Sequence, residues 1–123
     1  MQNIILGTAA LNQTALDFEG NKSRIKKAIF EARKKGAHIL CLPELAVTGY
    51  GCEDEFFSMG VCANAEAAIK GLCLETQNIL TVFGAPIYIE GHLYNCAVVV
   101  KDKKIIGITA KKHLAREGIH YEP

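Results

Sequence analysis

The segment HILCLPELAVTGYG, residues 38–51, decides the fold, because a short apolar run ends there at a proline that is followed by a single glutamate. The run HILCL is typical of a buried strand. Pro43 fixes its own φ and biases Leu42 towards an extended conformation, so the turn after the strand is stiff. Glu44 is therefore expected at the carboxyl end of a strand and aimed in a defined direction.

The chain before this segment predicts a strand and then a helix. Residues 4–11, IILGTAAL, suit a buried strand, and Asn21 is a plausible helix cap. Gly36 is placed to end the helix. The apolar stripe of that helix has i, i+3, i+4, i+7 spacing and consists of Ile25, Ala28, Ile29 and Ala32. A strand–helix–strand crossover of this kind puts its two strands parallel in one sheet.

After this segment, the spacing of the apolar residues changes along the chain. Residues 53–59 are predicted to form a short helix or loop, and a second amphipathic helix is marked by Ala65, Ala68, Ile69 and Leu72. From Ile79 onward, three strand-like segments are separated by the short connections EGH and KDK, which suit hairpins. No linker or repeat interrupts the pattern. Residues 1–123 are therefore expected to belong to one α/β domain whose second half is mainly antiparallel.

Composition and charge exclude several classes of protein. Half of the 123 residues are hydrophobic and the formal net charge is only +1, so neither nucleic acid nor a membrane surface is an expected partner. The apolar runs are much shorter than the roughly 20 residues of a membrane-spanning helix, and MQNIILG lacks the basic leader and the cleavage site that are expected of a signal peptide. The five cysteines are odd in number and never spaced as C-x-x-C, which favours reduced core residues in a cytoplasmic protein and disfavours a zinc site.

Pattern alone leaves the roles of Glu44 and Lys111 open. Open α/β sheets bind ligands beyond the carboxyl ends of their parallel strands, which is where Glu44 is expected and where a general base could act. The same position also suits a solvated carboxylate at a strand-to-loop corner. Lys111 belongs to a lysine-rich stretch that is typical of a solvated face. One of the cysteines could be a nucleophile, but no motif places a histidine beside it.

Three segments together resemble one branch of a known superfamily. They are ALNQTALDFEGNKSRI at residues 10–25, LPELAVTGYGCEDEF at residues 42–56, and LYNCAVVVKDKKIIGITAKKHLAREGIHYEP at residues 93–123. The set resembles the amino-terminal glutaminase domain of the glutamine-dependent NAD synthetases, within the nitrilase, or carbon–nitrogen hydrolase, superfamily. The resemblance implies an α-β-β-α sandwich of two sheets.

The resemblance also implies roles for four residues. Glu44, in PEL, matches the family's general base, and Lys111, the first lysine of KKHLA, matches the lysine that stabilises the oxyanion. The second lysine, Lys112, does not match. Tyr50, in GY, matches a tyrosine that shapes the glutamine pocket. Glu122 matches a second glutamate that orients the lysine.

The family's nucleophilic cysteine matches none of the five cysteines. The resemblance implies that it lies downstream, in a segment that these 123 residues lack, with an ATP- and magnesium-dependent synthetase domain after it. The chain is thus expected to be the amino-terminal part of such an enzyme, to act on glutamine with the rest of its chain, and to form a homo-oligomer. Two alternatives remain: part of another nitrilase-superfamily amidase, or a non-catalytic nitrilase-like module that binds a partner.

Overall fold

The computed structural model describes residues 3–114 of the chain, which form a five-stranded sheet, two α-helices and one short 3₁₀ helix. In chain order the elements are β1 (Leu6–Thr8), α1 (Phe18–Lys34), β2 (Ile39–Cys41), the 3₁₀ helix (Glu53–Phe57), α2 (Met59–Cys73), β3 (Leu80–Ile89), β4 (His92–Lys101) and β5 (Lys104–Ala110). This order agrees with the α/β architecture that the sequence predicts.

The sheet is mixed, and its strands lie side by side in chain order from β1 to β5. Strands β1, β2 and β3 are parallel, while β3, β4 and β5 are joined as antiparallel hairpins. The predicted parallel crossover and the antiparallel second half are both confirmed. Both hairpin turns have two central residues with positive φ, Glu90 and Gly91 in the first and Asp102 and Lys103 in the second, as tight hairpins require.

Helix α1 begins earlier than predicted, because its cap is Asp17 and not Asn21. The Asp17 carboxylate accepts a hydrogen bond from the Gly20 backbone N–H at 3.0 Å. Asn21 lies inside the first turns of the helix, where it is 0% exposed. The helix ends at Lys34, and Gly36 follows with a φ of 77°, as the predicted stop requires.

The two α-helices share one hydrophobic core with the sheet. Ile25 and Ile29 of α1 are fully buried, and the four predicted apolar positions of α2 are all buried as well. The same cluster contains Phe83 of β3 and Val98 of β4. The stripes of both helices therefore face the sheet, as their spacing predicts.

The prediction of a buried first strand was wrong. Strand β1 is only three residues long and lies at one edge of the sheet, and its Leu6 is exposed. Strand β5 forms the other edge and carries the exposed Ile106 and Ile108. An edge strand has a neighbour on one side only, so an apolar run does not by itself ensure burial. Nothing in the described part of the chain forms a helix long and apolar enough to cross a membrane.

Candidate active site

Glu44 lies in a tight turn that leaves the sheet where β2 ends. The turn closes through backbone hydrogen bonds from Ala46 N to the Pro43 carbonyl (3.3 Å) and from Gly49 N to the Leu45 carbonyl (2.8 Å). Leu45 has a φ of 50°, a conformation that costs an ordinary residue about 1–2 kcal/mol. Its side chain is 2% exposed, and burial of a leucine contributes about as much or more. Packing therefore holds the strained turn in place.

Strand β3 approaches this turn at a glycine. A Cβ atom on Gly84 would lie 2.6 Å from the Pro43 carbonyl oxygen and would also overlap the Leu45 backbone nitrogen. In return, the Gly84 carbonyl accepts a hydrogen bond from Val47 N at 3.1 Å. Only glycine permits this close contact between two backbones, so Gly84 helps to fix the position of Glu44.

A buried amide network ties the turn to the segment before α1. The Asn21 side chain donates to the carbonyls of Thr14 (2.8 Å) and Val47 (3.2 Å) and accepts from Thr14 N. Gln13 donates to the Ala46 carbonyl at 2.6 Å. Buried polar groups need such partners, and here each bond also fixes the loop. The motif LNQTALDFEGN thus has a structural explanation, since two of its amides support the turn that carries Glu44.

Glu44 and Lys111 form an ion pair. Lys111 Nζ lies 2.6 Å from Glu44 Oε1, and each side chain is 34% exposed. The Tyr50 hydroxyl donates a hydrogen bond to the other carboxylate oxygen, Oε2. Three of the residues selected from the sequence therefore meet at one point. Lys112, the neighbouring lysine, is exposed.

Asn95 also contacts this carboxylate, and sequence reasoning missed it. Its side-chain Nδ2 donates to Glu44 Oε1 at 2.9 Å, and its backbone carbonyl accepts from Lys111 N at 2.7 Å. The available signal was a lone amide in the otherwise apolar strand LYNCAVVV. Glu122, the fourth predicted residue, lies outside the described residues.

A small cleft opens beside Glu44. Its volume is about 150 Å³, and it is lined by residues 11–13 and by the turn from Pro43 to Tyr50. A larger cleft of about 390 Å³ lies between α2 and the sheet, but its lining is mostly apolar. The charged residues that line this larger cleft, Glu66 and Lys70, pair with each other at 2.7 Å. The smaller cleft is therefore the better candidate for catalysis.

Four of the five cysteines have the environments of core residues, as the sequence predicts, but for Cys41 the prediction was wrong. Burial raises the pKa of four thiols, those of Cys52, Cys62, Cys73 and Cys96, which keeps them protonated and poorly nucleophilic. Cys96 follows Asn95 in β4, but it is buried in the core shared with the helices, because alternate residues of a strand face opposite sides. Cys41 is exposed at the end of β2. Among residues 3–114, no three His, Cys, Asp or Glu side chains are grouped so that they could hold a metal ion.

Comparison with known proteins agrees with this fold. The carbon-nitrogen hydrolase family matches residues 6–123. The chain therefore belongs to the carbon–nitrogen hydrolase family, whose members have the nitrilase-like fold seen here.

Within that family, the chain is similar to the amino-terminal region of glutamine-dependent NAD synthetases. It is 41% identical to the enzyme of that name from Arabidopsis thaliana over 124 residues, which cover 99% of this chain and 17% of the relative. Among solved structures, it matches a glutamine-dependent NAD(+) synthetase from Cytophaga hutchinsonii with a TM-score of 0.92 and 42% identity, over 96% of this chain and 20% of that one.

A second solved structure is the glutamine-dependent NAD+ synthetase of Acinetobacter baumannii in complex with ADP. It matches with a TM-score of 0.86 and 25% identity, over 95% of this chain and 23% of that one. The chain therefore spans only about a fifth of the length of the relatives it matches.

Proposed function

We propose that residues 1–123 are the amino-terminal part of the glutaminase domain of a glutamine-dependent NAD synthetase. The observation that carries this proposal is the ion pair of Glu44 and Lys111 at the carboxyl end of β2, in a chain that is homologous to such enzymes throughout. The intact enzyme hydrolyses glutamine and passes the ammonia to a synthetase domain. That domain amidates nicotinic acid adenine dinucleotide to NAD.

Glu44 is the general base in this proposal. It takes the proton of a cysteine thiol supplied by another part of the intact protein, and the thiolate attacks the carboxamide carbon of glutamine. The C–N bond then breaks, ammonia leaves with the proton, and a thioester remains. Glu44 next accepts a proton from the water that hydrolyses the thioester. The rigid turn around Glu44 supports this role, because a general base must stay within hydrogen-bond reach of both nucleophiles.

Lys111 stabilises the oxyanion that forms when the carbonyl is attacked. A fixed ammonium next to the reacting carbonyl can lower the barrier substantially, because the charge is already in place when the oxyanion develops. Its contact with Glu44 supports this role, since the base and the cation must serve the same substrate carbon. Tyr50 lines the cleft beside Glu44 and helps to shape the glutamine pocket. The family resemblance assigns to Glu122, which lies outside the described residues, the role of orienting Lys111.

The remaining properties belong to the intact protein. The synthetase domain requires ATP and magnesium, and the ADP complex of the Acinetobacter relative supports a nucleotide site in the intact protein. The exposed apolar side chains on the edge strands β1 and β5 support contacts with the rest of the chain and with further copies in a homo-oligomer. The odd number of cysteines, with no paired spacing, supports a cytoplasmic location.

The experiment that tests the proposal compares two nitrogen sources in the full-length protein. Glu44→Gln should abolish NAD synthesis from glutamine and leave synthesis from added ammonium largely intact, because the base serves only the first site. Glu66→Gln, at an exposed carboxylate on α2, is the matched control and should leave both activities unchanged. Equal loss of both activities in Glu44→Gln would remove the general-base role.

A non-catalytic module that binds a partner is the second candidate. The observation in its favour is the burial of four of the five cysteines, because none of these four thiols is then available to react beside Glu44 and Lys111. Full-length protein that hydrolyses no glutamine and synthesises no NAD from either nitrogen source would establish this alternative. Hydrolysis of a different small amide would instead indicate another amidase of the family.

A further inference from the structure

Asn95 is bonded both to Glu44 and to Lys111. Its amide Nδ2 donates to Glu44 Oε1 at 2.9 Å, and its backbone carbonyl accepts from the Lys111 N–H at 2.7 Å. An ionised carboxylate can only accept hydrogen bonds, so the amide must present Nδ2 and not its oxygen. One residue thus contacts the side chain of the proposed base and the backbone of the proposed oxyanion-stabilising lysine.

The strand register explains how both contacts arise. The antiparallel ladder of β4 and β5 pairs Cys96 with Ala110, and the bond from Lys111 N to the Asn95 carbonyl extends it by one residue. Residues directly opposite each other in an antiparallel pair project their side chains to the same face. Asn95 and Lys111 therefore point the same way, and both side chains reach Glu44 Oε1.

The neighbouring strand leaves this position accessible to Glu44. Asn95 is opposite Pro86 of β3. Two residues earlier, the carbonyl of Gly84 bonds Val47 in the Glu44 turn and not a strand, because β2 has already ended. The turn thus takes the place of β2 beside β3, which brings Glu44 within reach of β4.

We propose that Asn95 is a positioning residue that holds the Glu44 carboxylate and Lys111 in a fixed relation. The inference rests on the proposed glutaminase function. The two carboxylate oxygens are held by groups from different parts of the chain: Oε1 by Asn95 and Lys111, and Oε2 by Tyr50. This arrangement stops rotation of the carboxylate, so that the same oxygen faces the thiol and later the water. Precise placement of a base in this way is worth orders of magnitude in rate.

Two substitutions in the full-length protein test the role. Asn95→Ala removes the amide donor and keeps the backbone carbonyl that bonds Lys111. Asn95→Asp keeps the shape of the side chain, removes the donor and adds a negative charge next to Glu44. Asn64→Ala, at an exposed amide on α2, is the matched control. Each variant is assayed with glutamine and with ammonium, and the pH dependence of glutamine hydrolysis is measured.

Asn95→Ala should lower kcat for glutamine hydrolysis about 10- to 100-fold, the range expected for a lost hydrogen bond to a charged group. KM should change little, and synthesis from ammonium should stay at the wild-type level. The acid limb of the pH–rate profile should move to higher pH in Asn95→Ala and further in Asn95→Asp, because each change disfavours the ionised carboxylate. A purely structural role would lower both activities together and leave the profile in place.

Wild-type hydrolysis and an unmoved profile in Asn95→Ala and Asn95→Asp would overturn the inference, as would equal loss of the two activities in both variants. These outcomes are separable from a failure of the proposed function, because Glu44→Gln is measured in parallel. If Glu44→Gln is inactive with glutamine while both Asn95 variants behave as wild type, only the role of Asn95 is wrong. If Glu44→Gln keeps its activity with glutamine, the proposed function and the role of Asn95 both fail.

Discussion

Lys111 Nζ lies 2.6 Å from Glu44 Oε1, although 67 positions separate the two residues in the chain. Glu44 follows a short parallel strand, and Lys111 follows the last strand of an antiparallel meander. Neither residue is close to the other in any local element. The two residues meet because β2 and β5, the strands that precede them, belong to one sheet in which β3 and β4 lie between them.

The choice between two adjacent lysines gives the first prediction. In the full-length protein, Lys111→Met should reduce glutamine hydrolysis by about 100- to 1,000-fold, the usual effect of removing a group that stabilises an oxyanion. Lys112→Met is the matched control, because Lys112 is exposed, and its activity should equal that of the wild type. Steady-state hydrolysis assays on both variants check this. The assignment fails if Lys112→Met is the more damaging change.

The tyrosine that contacts the carboxylate gives the second prediction. Tyr50→Phe removes the hydroxyl that donates to Glu44 Oε2, so kcat/KM for glutamine should fall by about tenfold or more. Stability should hardly change, because Tyr50 is 40% exposed. Tyr88→Phe, at a similarly exposed tyrosine in β3, is the control. Kinetics and a thermal unfolding curve for each variant are sufficient, and an unchanged kcat/KM in Tyr50→Phe would contradict the contact.

The glycine under the turn gives the third prediction. Gly84→Ala places a Cβ against the backbone of Pro43 and Leu45, and such overpacking should cost about 1–3 kcal/mol of stability. Glutamine hydrolysis should fall with it, since the displaced segment carries Glu44. Gly107→Ala in β5 is the control, because nothing lies within 4 Å of its added Cβ. Hydrogen exchange of peptides that cover residues 42–50 measures the effect, and equal protection in the two variants would rule out the clash.

The buried amide of α1 gives the fourth prediction. Asn21→Asp keeps the side-chain shape but leaves the carbonyls of Thr14 and Val47 without their donor and buries a carboxylate. The loss should be on the order of 3 kcal/mol. Asn64→Asp, at an exposed position of α2, should be close to neutral. Faster exchange at residues 13–21 and 45–49 in Asn21→Asp alone is the expected result, and similar exchange in both variants would contradict it.

The cap of α1 gives the fifth prediction, which concerns pH. The Gly20 backbone N–H, and then the Arg24 side chain, hold the pKa of Asp17 below its ordinary value of 3.8. A folded-state pKa that is lower than the unfolded one stabilises the fold at pH values above the unfolded pKa, and this contribution is lost as pH falls through the folded pKa.

Asp17→Asn keeps a capping oxygen and removes the charge, so the wild type should be the more stable protein at pH 6. The advantage should shrink below pH 3.8 and vanish below the folded-state pKa. Hydrogen-exchange protection of the first turn of α1, measured at pH 6 and below pH 3.8, tests the direction of this pH dependence. If the wild type instead becomes more stable relative to Asp17→Asn as the pH falls, the lowered pKa of Asp17 is not the cause of the difference.

Much of the fold was predictable because the signals are local. The i, i+3, i+4, i+7 stripe of α1 and the buried positions of α2 report which face of each helix meets the sheet. The short connections EGH and KDK predict hairpins, and both hairpins are present. Glu44 could be placed at a strand end because Pro43 stops the preceding strand.

Other features were not predictable from local pattern. The sequence predicts Asn21 as the helix cap, but Asp17 has the capping geometry. The Asn21 side chain instead donates a hydrogen bond to the Val47 carbonyl of another loop. The run at residues 4–11 is apolar enough for a buried strand, yet its strand lies at the sheet edge. Which strand is an edge depends on the order of all strands, and periodicity within one segment contains no information about that order.

The sequence by itself determined the α/β class and the family, because these depend on periodicity and on short motifs. The family resemblance then made Glu44 and Lys111 a candidate pair. Only the tertiary structure decided that the two side chains meet and that Tyr50 and Asn95 join them. The physical reason is that a hydrogen bond depends on distances of about 3 Å between atoms. For residues far apart in the chain, those distances are set by strand register and by the close contact of two backbones at Gly84.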